Sequence, residues 1–488
     1  MPKHPKTSCG STGMSSSTDT PPTLTTISPI TNSPLTTRTA LTGPEVSPLV
    51  TRSKTAFKTF RNTHPLSTRQ SLVQDFLNCI LTCKDELATL ITEEMGRPIC
   101  YTAKEIETMV RRGEYLLSIS SEALTDVPGV PELGFTRFIR KEPVGVVLII
   151  FAWNYPYLIL VNSLIPAILA GNTVILKGSP QTPTVVEYVT KIFADVGLPE
   201  NVLQYVHCGD TGVMKQLIQA PEVSLVCFTG SYQGGIAVQK AASDRTIPVT
   251  LELGGNDPAY VRADVDVRWA AEEIVDGAVF NSGQSCCAIE RVYVHYSIYE
   301  EFCQEVVDVV KGYKLGDPRE KNTTIGPVVS AAAAKRIRAD VKDAIAKGAE
   351  RITPSGVFEA AEKLGETFMG IEVLRDCTHD MRIMTTETFG PTIPIMLVSS
   401  DEQAINLMND SSLGLTASVW TKDTKQGAEI VERVEAGTVF VNRCDYPSPD
   451  LAWTGWKDSG RGVTLGKGGF DAFVKSRSWH LKNYPKGS

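Results

Sequence analysis

The alternation of apolar and polar positions changes period along this 488-residue chain, and each change marks an element. Over residues 67–91 apolar side chains recur at helical spacing (Leu72, Phe76, Ile80, Leu87, Ile91), and the pattern resumes over 105–117, which predicts a helical lead-in. Residues 126–142 break that period. Val127-Pro128-Gly129 precedes Phe135-Thr136-Arg137-Phe138-Ile139-Arg140, which alternates as an exposed strand does and predicts an extended arm. Strand-like runs at 144–151, 173–177, 203–206, 225–228 and 249–253 then alternate with helical segments. Such spacing implies parallel βαβ units in an open, doubly wound α/β sheet, whose ligands bind beyond the carboxyl ends of the strands. After Gly255 the pattern restarts with a strand at 258–261, a helix to Phe280, a strand at 291–295 and further alternation to about Val441, which predicts a second α/β domain.

Thirty-three residues, 144–176, carry no charge and pass the length test for a membrane span. Asn154-Tyr155-Pro156, Asn162, Pro166 and Gly171-Asn172 interrupt them, as a buried strand, turn, helix and strand would. No membrane span is expected. The composition, 42% hydrophobic and 21% charged, is that of a globular chain long enough for two or three cores. Residues 1–22 differ: they are rich in Ser, Thr, Pro and Gly and read as a disordered tail. A transit peptide is the alternative for this tail, but the first Arg is Arg38, so a cytoplasmic location is expected over a mitochondrial one. The net charge of −7 excludes the basic face a nucleic-acid binder needs. Eleven cysteines without paired spacing look like thiols of a reducing compartment. Cys79 and Cys83 lie four apart in an apolar pattern without further ligand spacing, so they read as core and no metal is expected.

The candidate chemistry lies at strand ends. Cys286 follows Asn281-Ser282-Gly283-Gln284-Ser285, a small, polar run that suits an accessible loop, where a thiol can act as nucleophile; a lone Cys is otherwise a small buried hydrophobe. Glu252 ends an apolar strand before Gly254-Gly255, where a carboxylate is costly unless partnered or raised in pKa, so it is either a candidate base or a surface residue. Asn154 sits in a turn before Pro156, where its amide either donates to a developing oxyanion or merely closes the turn. Gly230-Ser231-Tyr232-Gln233-Gly234-Gly235 opens a helix directly after a strand, a place for an anion or for close packing, without GxGxxG spacing.

Together these segments, with Glu387-Thr388-Phe389-Gly390-Pro391, resemble the aldehyde dehydrogenase superfamily from about residue 25 to Lys482. The resemblance rests on Glu252 and Cys286 standing thirty-four residues apart, with LELGG before and GQxC after. It implies Cys286 as nucleophile, Asn154 with the Cys286 N–H as oxyanion hole, and Glu252 as the base that hydrolyses a thioester, giving acid product. It further implies that NAD, with NADP also usable, lies along Phe151, Trp153, Lys177, Ser179, Gly230, Ser231, Gly235, Leu253, Glu387 and Phe389. The substrate tunnel would be lined by Tyr155, Leu158, Ile159, Asn162, Ser285, Cys287, Tyr446 and Trp453. None of these is a cation, so an apolar or aromatic aldehyde is expected over a semialdehyde, with Arg443 the residue able to reverse that.

The family resemblance also implies a division of the chain: a Rossmann-like cofactor domain (23–125 and 142–253), a catalytic domain (254–441), an oligomerisation arm (126–141 and 471–488) and a substrate-side loop (442–470). A homodimer or homotetramer is the family expectation. The sequence departs from the family pattern in two places. The usual Lys-Pro-Ser-Glu reads Lys177-Gly178-Ser179-Pro180, and an unusual loop runs through Arg443-Cys444-Asp445-Tyr446 to Trp453-Thr454-Gly455-Trp456. Of the competing readings, a cysteine hydrolase needs a His base, and none of the six His sits in a motif that supplies one. A non-catalytic protein that kept the fold would have no use for Asn154, Glu252 and Cys286 together.

Overall fold

The computed structural model describes residues 21–484, so all but the last two residues of the expected tail lie outside the described residues. Two large sheets organise the rest. The first runs in the order Gly460–Arg461, Val249–Glu252, Val223–Thr229, Val146–Ile150, Thr173–Lys177, Leu203–Tyr205, and all its neighbours are parallel except the first pair. Val146–Ile150 is buried at every position, as a β-branched run covered by helices on both faces must be. The chain extends the sheet to one side of this strand, then returns to build the other side from Val223–Thr229. That reversal opens a crevice beyond the strand ends. The second sheet runs Glu350–Arg351, Glu372–Arg375, Thr392–Val398, Ile289–His295, Asp257–Val261, Thr416–Trp420, Thr438–Val441, with only the Glu350–Arg351 edge antiparallel.

The uncharged stretch resolves into two strands around the helix Pro156–Ala170, which starts on Pro156 and stops at Gly171 in the left-handed region (φ 91°). Thirteen of its fifteen residues are buried in protein. No helix among the described residues is long and apolar enough to cross a membrane. The lead-in expected over 67–91 is two helices rather than one, Leu66–Thr82 and Lys84–Met95, broken at Cys83 because the i→i−4 ladder stops there and the Cys83 N–H turns to Ile80 O at 3.2 Å. Cys79 and Cys83 pack half-buried against the first core. The arm segment forms a separate three-stranded sheet: Phe135–Pro143 lies between Val127–Pro128 and Val474–Lys482, antiparallel to both.

Candidate active site

Cys286 sits in the link between the helix Val267–Val279 and the strand Ile289–His295. The link turns through three successive left-handed residues, Asn281 (φ 55°), Ser282 (φ 57°) and Gly283 (φ 69°). A Cβ on Gly283 would stand 2.1 Å from Gly390 O, so only glycine fits. The polar run that suggested an accessible loop is in fact buried from Asn281 to Ser285. Its polar groups are spent inward: Ser282 Oγ donates to Gly326 O at 2.9 Å, Gln284 Oε1 accepts from Val329 N at 2.8 Å, and Ser285 Oγ donates to Asp445 Oδ1 at 2.9 Å. Cys286 alone of this run is half-buried, and it lines the cavities described below.

Asn154 lies in the turn between the strand Val146–Ile150 and the helix Pro156–Ala170, and is 3% exposed. Its main-chain oxygen accepts from Arg97 Nη2 and from Asn281 Nδ2, the latter at 3.2 Å. Arg97 Nε in turn donates to Asn281 Oδ1 at 3.0 Å, and its guanidinium pairs with buried Glu105 and lies 4.2 Å from the centre of the Tyr155 ring. Glu105 Oε1 accepts the free N–H of Tyr157 at 2.9 Å at the start of the helix. One buried polar network thus fixes the Asn154 turn, the helix after it and the Cys286 link.

Glu252 ends its strand beside Thr229, its register partner on the neighbouring strand. Thr229 Oγ1 donates to Oε2 at 3.3 Å, and Thr464 Oγ1 donates to Oε1. Burial raises the Glu252 carboxyl above its ordinary range, opposed by the two hydroxyls and by the charge of Arg112.

A cavity of about 230 Å³ and a cleft of about 320 Å³ meet at these residues: Asn154, Ile159, Thr229, Glu252, Leu253 and Cys286 line both. Around the cavity stand all eight residues expected of the tunnel, Tyr155, Leu158, Ile159, Asn162, Ser285, Cys287, Tyr446 and Trp453. The cleft is lined by Trp153, Gly230, Ser231, Glu387 and Phe389, with the Trp153 and Phe389 rings edge-to-face at 5.7 Å. Ser231 caps the helix Tyr232–Ala242 by accepting from Gly234 N at 3.2 Å. Glu387 Oε1 accepts from Gly255 N at 3.1 Å, and burial pushes its carboxyl up to about 7. A third cleft lies beyond the strand ends Ile150, Lys177 and Phe228.

Three residues expected along the cofactor do not line these clefts. Phe151 is buried in the first core, its ring packed where a Cβ on Gly178 would touch it at 3.3 Å. Ser179 Oγ accepts from Gln181 N at 3.2 Å and closes a turn. Gly235 lets the helix approach the strand, since a Cβ there would lie 2.5 Å from Leu253 Cδ2.

Other lining residues were missed from the sequence. Arg112 walls the cavity, 5% exposed, with Nη1 on Asn162 Oδ1 at 2.9 Å and Leu158 O at 3.1 Å, and Nη2 on Pro447 O at 3.2 Å. Its Nε has no hydrogen-bond partner, and no carboxylate forms an ion pair with it among the described residues. A signal existed: Arg112 stands three residues after Met109 and four before Leu116, on the apolar stripe of its helix. Asp445, its carboxyl pushed up to about 6 chiefly by burial, also lines the cavity and accepts from Cys287 Sγ at 2.9 Å; it stands in the unusual loop noted in the sequence, where only its neighbour Tyr446 was expected to face the substrate. Lys215 and Lys240 join Lys177 and Pro180 in the third cleft. Arg443 lies over the Tyr446 ring at 3.6 Å and does not line the cavity.

A family profile described as "Aldehyde dehydrogenase family" matches residues 16–479. The chain is 31% identical to the 3,6-anhydro-alpha-L-galactose dehydrogenase of Streptomyces coelicolor, over 85% of this chain and 84% of that one. It is 30% identical to a succinate-semialdehyde dehydrogenase [NADP(+)] of Mycobacterium avium, over 93% of this chain and 95% of that one. Among solved structures, betaine aldehyde dehydrogenase from Staphylococcus aureus in complex with NAD+ superposes with a TM-score of 0.90 at 28% identity, over 95% of this chain and 92% of that one. A doubly wound cofactor-type sheet joined to a second α/β sheet is the architecture of that class. The chain belongs to the aldehyde dehydrogenase family.

Proposed function

We propose that this chain oxidises an aldehyde to the carboxylic acid with NAD or NADP through a covalent thioester on Cys286. One observation carries the reading: the cavity and the cleft meet at Cys286, with Glu252 and Asn154 on both. The cleft suits a dinucleotide. Aromatic rings of Trp153 and Phe389 flank it, Gly230 and Ser231 stand at a helix N-terminus suited to a diphosphate, and a Cβ on Gly254 would meet the Glu387 carboxylate at 2.3 Å.

The Cys286 thiolate adds to the aldehyde carbon, and the oxygen takes the negative charge. Donors from the Asn154 amide and the Cys286 N–H stabilise it. A nicotinamide bound in the cleft, held beside Trp153, Glu387 and Phe389, would supply the hydride acceptor. Loss of hydride from the carbon leaves a thioester on Sγ. Glu252 then takes a proton from water as the oxygen bonds to the acyl carbon and the C–S bond breaks, releasing acid and regenerating the cysteine.

The apolar and aromatic wall, Leu158, Ile159, Phe280, Leu415 and Trp453, supports an apolar or aromatic aldehyde. Arg112 favours a second reading. A buried guanidinium with no carboxylate in ion-pair contact is costly even with the charge of Glu252 nearby, and a carboxylate on the substrate would supply that contact, as in a semialdehyde. Self-association into dimers or tetramers is supported by the small sheet, where Leu133 is fully exposed, Tyr484 is 85% exposed and the strand Val474–Lys482 has an open edge among the described residues. A cytoplasmic location is supported by eleven cysteines without the paired spacing of a disulfide framework. A panel of aldehydes followed by nicotinamide absorbance with each cofactor tests the reading. Absence of turnover with any aldehyde would sink it.

A further inference from the structure

Glu252 is held from two directions. Thr229 reaches it from the neighbouring strand, as register predicts. Thr464 comes from far along the chain, after the edge pair Gly460–Arg461, in which Gly460 is the register partner of Glu252. The main chain of Thr464 is itself pinned: Trp453 N donates to Thr464 O at 2.8 Å, and Thr464 N donates to Trp453 O at 2.9 Å. Trp453 is a wall of the substrate cavity. One strap therefore holds the carboxylate by its hydroxyl and the acyl-binding wall by its backbone.

On the reading that Glu252 is the base, we propose that Thr464 is a positioning residue, fixing one carboxylate oxygen of Glu252 and keeping it in register with the Trp453 wall. With Thr229 on the other oxygen, the carboxylate cannot rotate freely, and each oxygen keeps a lone pair for water. A hydroxyl donor favours the ionised form, the one able to accept a proton. The other ionisable groups around Glu252 are Arg112 from the helix Ile99–Ala123, Cys227 from the strand Val223–Thr229, Cys286 and Cys287 from the link, and Asp445 and Tyr446 from the loop after Val441. Of these Arg112 is the cation, and its attraction remains in a Thr464 variant.

Thr464→Val keeps the shape of the side chain and removes the donor. In the full-length variant, a burst of reduced nicotinamide should precede slow turnover, because hydride transfer comes before the hydrolysis that is slowed. Steady-state kcat at neutral pH should fall about tenfold, and the acid limb of its pH profile should move up by about one unit. Thr464→Ser should restore both, and Thr464→Ala reads the same limb should the valine variant fold poorly. An acid limb unmoved in folded Thr464→Val or Thr464→Ala, or a serine variant no better than valine, overturns the proposal. Glu252→Gln in parallel separates the two claims: its stalling after one turnover upholds the base assignment whatever Thr464 does, and its normal turnover removes that assignment and this inference with it.

Discussion

Asn281 donates its side-chain amide to the main-chain oxygen of Asn154 at 3.2 Å, and so ties the link that carries Cys286 to the turn that carries Asn154. In the proposed reaction the relative placement of the thiolate and the oxyanion donor must be held to within about 0.5 Å. Asn281→Asp keeps the size and a side chain tolerant of φ 55° but removes the donor. We expect kcat/KM for aldehyde to fall by about 10- to 100-fold with cofactor Kd nearly unchanged, as measured by fluorescence titration and steady-state kinetics.

Cys286→Ala should abolish turnover, while Cys287→Ala should retain most of it. Cys287 is buried, its thiol is pushed up by its neighbour Cys286 and by burial, and it donates to Asp445. It is therefore a wall group at neutral pH. Near wild-type rates in Cys286→Ala would falsify the nucleophile assignment.

Asn154→Ala should lower kcat by about 10²- to 10³-fold through loss of an oxyanion donor, with the fold retained because the network of Arg97, Glu105 and Asn281 grips main-chain rather than side-chain atoms of the turn. A thermal melt close to wild type alongside the kinetic loss checks both halves. A loss below threefold would remove Asn154 from the chemistry.

Cofactor affinity should depend on pH through Glu387. Its carboxyl is raised to about 7, so it is neutral below that and charged above. A charged carboxylate is the better acceptor for ribose hydroxyls. KM for NAD should therefore rise as pH falls through about 7, and Glu387→Gln should flatten the dependence. A KM profile in the wild type that is level between pH 6 and 8 would count against Glu387 as an acceptor of the cofactor's hydroxyls.

Discrimination between NAD and NADP should be weak. Where NAD-selective relatives are expected to carry a carboxylate, this chain has Pro180, whose carbonyl is taken by the Thr26 hydroxyl at 2.6 Å. Nothing at that position then repels a 2′-phosphate, and Lys215 and Lys240 line the same cleft as Lys177. We expect NAD to be preferred, with the ratio of kcat/KM values below about a hundredfold, roughly 2.7 kcal/mol. A larger ratio in either direction assigns selection to residues elsewhere.

Arg112→Met separates the two substrate readings. If the cavity takes apolar or aromatic aldehydes, the variant should change kcat/KM for hexanal or benzaldehyde by less than about tenfold. If it takes a carboxylate-bearing aldehyde, kcat/KM for succinate semialdehyde should exceed that for hexanal in the wild type and fall by about 10²-fold or more in the variant.

The strands of the first sheet were legible because buried parallel strands are continuous apolar runs, and Val146–Ile150 and Thr173–Lys177 stand out as such. Cys286, Glu252 and Asn154 were legible as candidates because one is a thiol after a small, polar run, one a carboxylate ending an apolar strand and one an amide in a turn before Pro156, and because LELGG, GQxC and their spacing resemble the family's pattern. What the sequence concealed depends on contacts between distant segments. The run 281–285 looks solvated because its residues are polar, but its partners Gly326, Val329 and Asp445 lie far along the chain. Ser179 and Gly235 serve a local turn and a helix-to-strand approach, roles that leave the same small-residue signature as a phosphate contact. The break at Cys83 has no glycine or proline to mark it.

Two returns close this molecule late: Gly460–Arg461 finishes the edge of the first sheet beside Glu252, and Val474–Lys482 pairs with Phe135–Pro143 along its whole length, Phe135 against Lys482. During synthesis, the parallel strands from Val146 to Glu252 therefore emerge with one edge bare, and the Phe135 strand, paired on one side only with the short Val127–Pro128 strand, waits for its full-length partner until almost the entire chain has been made. Closing such large loops is slow, and an exposed strand edge is a template for other chains meanwhile. The order in which the ribosome delivers the chain thus sets a period of vulnerability to aggregation that ends only with the last strand, and helpers that shield strand edges should matter more to yield than to the finished enzyme's stability.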